Sequence, residues 1–207
     1  DDIASAPPER AQERRGIAAD LFVIKIAGAK AETGASLSEV RKSADKARDS
    51  CRSYGVALSS ATIPATGKPT FTLGENEMYF GIGAHGEKGV KKTELLTADE
   101  TAEVLVKGVV EDLPFQEGDE VNLIVNGYGS TTLMELYIVN RKVHQTLRNL
   151  GISIHRTEVG SFLTTQEMAG CSVTLMRLDK ELKELFDAPA YTPTFSKCPD
   201  LLKRLTQ

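Results

Sequence analysis

Two kinds of hydrophobic period follow one another in this chain, and their succession restricts the fold more than any other feature of the sequence. Ala102, Leu105, Val106, Val109, Val110 and Leu113 fall at i, i+3, i+4, i+7, i+8 and i+11, which lays one apolar stripe along a helix. Shortly after it, Val121–Val125 is a compact apolar run that reads as a buried strand. Helical spacing resumes at Leu133, Leu136, Tyr137, Val143, Leu147 and Leu150, all expected inward, and Gly151 closes that helix. Ile152 and Ile154 then open another strand, and Val173–Leu178 a further one before a short helix around Leu182 and Leu185. Strands and helices that alternate with short connections make an α/β protein, with helices packed on both sides of mixed sheets.

The N-terminal third adds helices. Asp1–Gly16 is charged, carries Pro7-Pro8 and Arg14-Arg15, and reads as a surface loop. From Ile17 to Glu32 apolar and alanine residues are dense enough for a helix buried on most sides, ending at Gly34. Ser36 and Glu39 form a capping box for a second helix, whose stripe is Val40, Ala44, Ala47, Cys51 and Tyr54, with Gly55 as its stop. Thr97 and Glu100 form another box ahead of the 102–113 stripe. A boundary is expected near residues 55–70, where two helices give way to strands.

Composition excludes several classes of function. A net charge of −4 and a pI near 5.5 leave no basic footprint for nucleic acid. No apolar run reaches the roughly eighteen residues that span a bilayer, and no signal-peptide pattern opens the chain, so a cytoplasmic protein without a membrane partner is expected. Cys51, Cys171 and Cys198 are odd in number and widely spaced, which fits free thiols rather than disulfides or a zinc site.

The chemistry concentrates at Met78–Val90. Met78, Phe80 and Ile82 alternate like a strand, then Gly81, Gly83, Gly86 and Gly89 surround His85. Glycines beside one histidine let backbone and ligand approach the imidazole closely. Read locally, the same pattern also describes an exposed histidine in a tight turn. Gly81-Ile-Gly83-Ala-His-Gly86 matches GxGxxG in letters, but no helix is expected before about Ala98, so no pyrophosphate would find a helix N-terminus there. Asn126–Thr131 does lead from strand to helix. It lacks the lysine of a phosphate loop, and Ser130 or Thr131 is expected to cap the helix. His144 and His155 are expected to be structural or solvent-facing, Lys91-Lys92 a solvated turn, and Glu158 and Glu167 show no partner.

Gly81–Gly89 resembles the substrate-binding histidine motif of the dihydroxyacetone kinases, in their DhaK-type substrate-binding subunit. Val23–Gly28, Gly55–Ser59, Thr62–Phe71, Leu96–Glu100, Val125–Gly129 and Glu167–Gly170 resemble further segments of that family, in its order. The resemblance implies that His85 attacks the ketone carbon of a short ketose to form a covalent hemiaminal, with Gly83 and Gly86 lining the substrate. It implies no nucleotide or metal on this chain. ADP or ATP with magnesium is expected on a partner kinase subunit or domain, recharged in the bacterial multi-subunit arrangement by the phosphotransferase system. A homodimer is implied as well. The family's second histidine and its aspartate lie in segments that nothing here matches. With no initial Met, the chain is therefore expected to be the C-terminal part of the subunit: 1–60 ending a first domain, 61–190 a second domain, and 191–207 a tail. Ala84 stands where the family carries a bulky aliphatic residue, and Tyr128 where leucine is common. Both changes imply a wider pocket and a longer ketose such as erythrulose. A ketose-sensing paralogue acting with a transcription regulator is the alternative.

Overall fold

A computed structural model describes residues 1–83 and 88–197. His85, Gly86, Ala84 and Cys198 lie outside the described residues. The described architecture is α/β. Six strands form one mixed sheet in the order β5 (Lys91–Glu94), β4 (Glu77–Phe80), β1 (Cys51–Ala57), β8 (Gly170–Arg177), β6 (Glu120–Gly127) and β7 (Ser153–Gly160). β6 and β7 run parallel, and the other neighbours are antiparallel. Small ladders join β2 (Thr62–Ile63) to β3 (Lys68–Pro69) and β9 (Ala190–Tyr191) to β10 (Ser196–Lys197).

Helices cover both faces. α3 (Ala98–Asp112) and α4 (Leu133–Asn149) meet the face built by Val56 of β1, Val121, Leu123 and Val125 of β6, and Val173 and Leu175 of β8. α1 (Asp20–Glu32), α2 (Leu37–Asp49) and α5 (Lys180–Asp187) cover the other face over Cys51, Ile124 and Met176. Successive residues on each strand thus feed the two cores in turn, as the pleat requires. The expected division at residue 60 falls just after β1, which is hydrogen-bonded to β4 and β8 beyond it.

Capping boxes start the helices where the sequence places them. Ser36 with Glu39 opens α2, and Thr97 with Glu100 opens α3. The expected extension of the α2 stripe to Cys51 and Tyr54 is wrong. α2 ends at Asp49, and both residues lie on β1, as does Gly55. A separation of three residues fits the helical template, while the alternation of Cys51, Ser53, Gly55 and Ala57 fits a strand, and pairing with β8 decides it.

α1 also departs from expectation. It buries one stripe, Phe22, Lys25, Ile26 and Ala29, and leaves Ile24 69% exposed. In α4 the buried stripe is Leu136, Val139, Val143 and Leu147, so Leu133, Tyr137 and Leu150 are exposed rather than inward. Tyr137 sits one residue off the stripe, about 100° around the helix. Lys91 and Lys92 belong to edge strand β5, not a turn, and Lys92 donates to the Thr72 carbonyl at 2.6 Å. Edge lysines discourage pairing with another strand.

Two measurements test this packing. Gly28 lies exposed inside α1, with open space where a Cβ would stand. Gly28→Ala is expected to stabilise the fold by about 0.5–1 kcal/mol, read from the denaturant midpoint, because glycine forfeits backbone entropy in a helix. Lys25 is 6% exposed and donates to the Leu185 carbonyl of α5 at 2.7 Å. Burial lowers its ammonium to about 8 from 10.5. Between those values the unfolded chain holds a proton that the folded chain has lost, so stability rises with pH across that window. Lys25→Met is expected to remove this rise, and an unchanged slope contradicts the assignment.

Candidate functional site

The glycine-rich loop is the connection of a β-hairpin, and both of its described ends are fixed. β4 delivers Met78 and Phe80 to the α3/α4 core. Gly81 then adopts φ +73°, open to glycine at little cost, and donates its N–H to the Gly55 carbonyl at 2.8 Å. That turn ends the expected alternation at Ile82. Instead of following Met78 and Phe80, Ile82 packs with Ala57, Ala61, Tyr128 and Met168. Gly83 is buried at the described edge of the loop. On the return, the Tyr79 hydroxyl donates to the Gly89 carbonyl at 3.1 Å, and the Val90 N–H to the Phe80 carbonyl at 2.8 Å. A Cβ at Gly89 would stand 2.6 Å from the Tyr79 ring, so this glycine permits the close return. A β-strand, β5, follows the loop, and α3 begins only at Ala98. The GxGxxG letters therefore lack the helix a pyrophosphate needs.

Beneath Ile82, three connections are tied together. Leu58 N–H donates to the Ala169 carbonyl at 2.7 Å, Ala169 N–H to Ser59 Oγ at 2.9 Å, and Ser130 N–H to the Met168 carbonyl at 3.1 Å. Thr131 Oγ1 donates to the Gly170 carbonyl and accepts from the Gly170 N–H, both at 2.8 Å. Ser130 and Thr131 are spent on these links. The cap of α4 is Thr132, in a box with Glu135, and its carboxylate already occupies the helix N-terminus where an anion would bind. Tyr128 is fully buried with its hydroxyl over Gly55. It packs with Ala57, Ala61, Ile82 and Met168 beside the start of the loop.

The N-terminal stretch, expected as a surface loop, is locked in. Arg14, whose side chain is 1% exposed, forms a fork to both Asp112 oxygens at 2.6 Å, and its Nε donates to the Ala6 carbonyl. Arg52 Nε reaches the same Asp112 at 2.6 Å. Burial pushes the Asp112 carboxyl up, but the hydrogen bonds and charges of Arg14 and Arg52 outweigh it and hold it below its ordinary value. Arg15 pairs with buried Asp2 at 2.7 Å, and the Ile3 N–H donates to the Ser53 carbonyl of β1. Adjacent arginines beside Gly16, amid several carboxylates, were the available signal. Charge in a Pro-containing stretch reads as solvated, because sequence spacing does not reveal partners a hundred residues away.

Other singled-out residues serve the fold. His155 meets Asp187 at 2.7 Å, and His144 meets the Thr157 hydroxyl at 3.0 Å. Burial, with help from Arg148, lowers His144 and favours its neutral form. Glu158 does have a partner, Lys197 at 3.4 Å, and the Thr62 hydroxyl holds Glu167 below its ordinary value. Cys51 and Cys171 are buried, unpaired, and pushed up to about 12 by burial, which leaves them inert. Among the described residues no three His, Cys, Asp or Glu side chains are grouped to hold a metal, and no helix is long and apolar enough to cross a membrane.

A family model for the Dak1 domain matches residues 1–194. The chain belongs to the Dak1 family. Among curated relatives, this Dak1 chain is 43% identical over 195 residues to a Listeria innocua protein named PTS-dependent dihydroxyacetone kinase 2, dihydroxyacetone-binding subunit DhaK. That alignment covers 94% of this chain and 58% of the relative. It is 41% identical over 201 residues to the L-erythrulose kinase of Pectobacterium atrosepticum, covering 95% of this chain and 34% of the relative. The chain thus spans from about a third to somewhat over half of the curated relatives it matches. Among solved structures it resembles one described as dihydroxyacetone kinase operon co-activator Dha-DhaQ, with TM-score 0.81 and 32% identity over 91% of this chain and 59% of that one.

Proposed function

We propose that this Dak1 chain is the histidine-bearing part of a short-ketose kinase. It would hold dihydroxyacetone or erythrulose covalently on His85 while a partner phosphorylates a terminal hydroxyl. The observation that carries this reading is the Dak1 match over 1–194 together with a hairpin that fixes Gly81–Gly83 and Gly89 on either side of the histidine. Neutral imidazole is nucleophilic near pH 7. Its nitrogen lone pair forms a C–N bond to the ketone carbon, and the C=O pair moves onto oxygen. That oxygen takes up a proton as the imidazole sheds one, leaving a hemiaminal hydroxyl. In this reading Gly83 and Gly86, which carry no Cβ, are the residues that would leave room for the ketose. Capture through one bond orients a substrate too small to offer many contacts, and it rejects polyols, which have no carbonyl.

The phosphoryl group is assigned to magnesium-bound ATP on a partner kinase subunit or domain, either bound as ATP or made there by rephosphorylation of resident ADP, in a cytoplasmic assembly that we extend to a homodimer. Neither nucleic acid nor membrane enters this reading. The relatives' names support both ketoses as candidates. Intact-mass measurement of the full protein is expected to show an adduct with dihydroxyacetone or erythrulose and none with glycerol. Equal response to glycerol, or no adduct with either ketose, would overturn the proposal.

A second reading is favoured by the likeness to the co-activator structure. In it the chain captures the ketose as a signal and does not support phosphorylation. Supplying the nucleotide-carrying partner separates the two, since the first reading predicts ketose phosphate and the second an unchanged adduct.

A further inference from the structure

We infer that the N-terminal arm, clamped by Arg14 and Asp112, positions the β4–β5 loop through Ala4, which makes Asp112 and Ala4 positioning residues for the ketose site. The inference rests on the function proposed above. Its geometry does not depend on that function. Gly81, the hinge at which the chain leaves β4, is packed between Ala4 and Val90. A Cβ there would stand 2.6 Å from the Ala4 Cβ and 2.8 Å from Val90 Cγ2. Ala4 is therefore the wall against which the loop begins.

The wall is held from several directions. Asp2 and Ile3 lie along β1 through Ser53, Ala4 N–H donates to Asp2 Oδ1 at 3.1 Å, and Ile3 reaches α3 beside Gly108. Ser5 Oγ accepts from the Arg15 N–H at 3.0 Å, and Arg14 Nε holds the Ala6 carbonyl at 2.8 Å. The guanidinium of Arg14 then forks onto Asp112 at the end of α3, with Arg52 of β1 on the same carboxylate. Forked arginine–carboxylate pairs fix direction as well as distance. α3, β1 and the arm are thereby referenced to one another, and the reference is handed to Gly81 by a methyl group. Support of this kind sets whether a reactive side chain is held to within about half an ångström of its working position.

The test uses the full-length protein with its phosphoryl-donating partner. Ala4→Val thickens the wall and leaves the clamp intact, whereas Asp112→Asn keeps the shape of the clamp and removes its charge. Ketose Kd is measured by calorimetry, and KM and kcat by coupled assay. Ala4→Val is expected to raise the Kd and the KM for the ketose tenfold or more while the donor KM stays unchanged, and folded Asp112→Asn to do the same. A merely structural role would lower kcat with the folded fraction and leave the ketose KM unmoved. That result, or an Ala4→Val protein binding within twofold of wild type, overturns the inference. If Asp112→Asn does not fold, Ala4→Val alone decides. A wild-type protein without ketose affinity overturns the functional reading and this inference with it, whereas wild-type affinity that survives Ala4→Val overturns the inference alone.

Discussion

Replacing His85 with alanine in the full protein is expected to abolish the ketose adduct and to lower kcat/KM for phosphorylation by on the order of 10³-fold or more, the scale on which covalent nucleophiles matter. The size of the effect follows from the smallness of the substrate. A three- or four-carbon ketose offers few contacts, so in the proposed role the bond to the imidazole would supply most of its orientation. Without that bond the terminal hydroxyl must be presented by hydrogen bonds alone. Discrimination is expected to fall as well. With no carbonyl addition to distinguish them, glycerol and dihydroxyacetone should come to compete on similar terms. A His85→Ala enzyme that retained wild-type activity and still excluded glycerol would contradict the role given to this residue.

The largest effect on stability is expected at Gly170, the first residue of β8. Its φ of +144° is one that side chains rarely adopt. An added Cβ would run into the Val56 carbonyl and stand 2.8 Å from the Ala57 Cα and 3.1 Å from the Tyr128 ring. The first two obstacles are backbone of the central strand β1, which cannot swing aside as a side chain can. Overpacking of about 1–3 kcal/mol adds to backbone strain of similar size. Gly170→Ala is therefore expected to destabilise by about 3–5 kcal/mol, measured from denaturant midpoints at constant slope. The contrast is Gly28→Ala, where nothing lies in the way and the sign reverses. A Gly170→Ala protein as stable as wild type would mean that β1 and β8 do not approach as closely as described.

How far the sequence discloses this molecule depends on the range of the interaction involved. Capping boxes at Ser36, Thr97 and Thr132 are closed within three residues, and two of the three are plain in the sequence. For the third the sequence offers Ser130 or Thr131, two or one residues early, because both are suited to cap until their hydroxyls prove to be engaged elsewhere. The stripe of α3 is legible because Ala102, Leu105, Val106 and Val109 all face one sheet. α1 misled, because its apolar density covers an exposed Ile24 as well as a buried face, and composition does not say which side meets protein.

The candidate site follows the same rule. In the sequence its glycines read as room for a close approach at His85. What Gly81 leans on lies 77 positions earlier in the chain, at Ala4, and the charges that hold Ala4 include Asp112. No local pattern carries that connection. Tyr128 shows the converse. Read against a family where leucine is common, it suggests a larger pocket, and the sequence does not show that its side chain occupies the hollow left by Gly55. The larger side chain fits there because the glycine opposite has already made room.

The claim at the centre of this account is a covalent bond between His85 and a ketose. It is tested most directly by carbon-13 NMR of the full protein mixed with dihydroxyacetone labelled at the ketone carbon. The account predicts that the carbonyl resonance of the bound molecule is replaced by that of a tetrahedral carbon bonded to nitrogen, and that His85→Ala removes the new signal. A bound ketose that keeps its carbonyl resonance, or a tetrahedral signal that persists in His85→Ala, would contradict it.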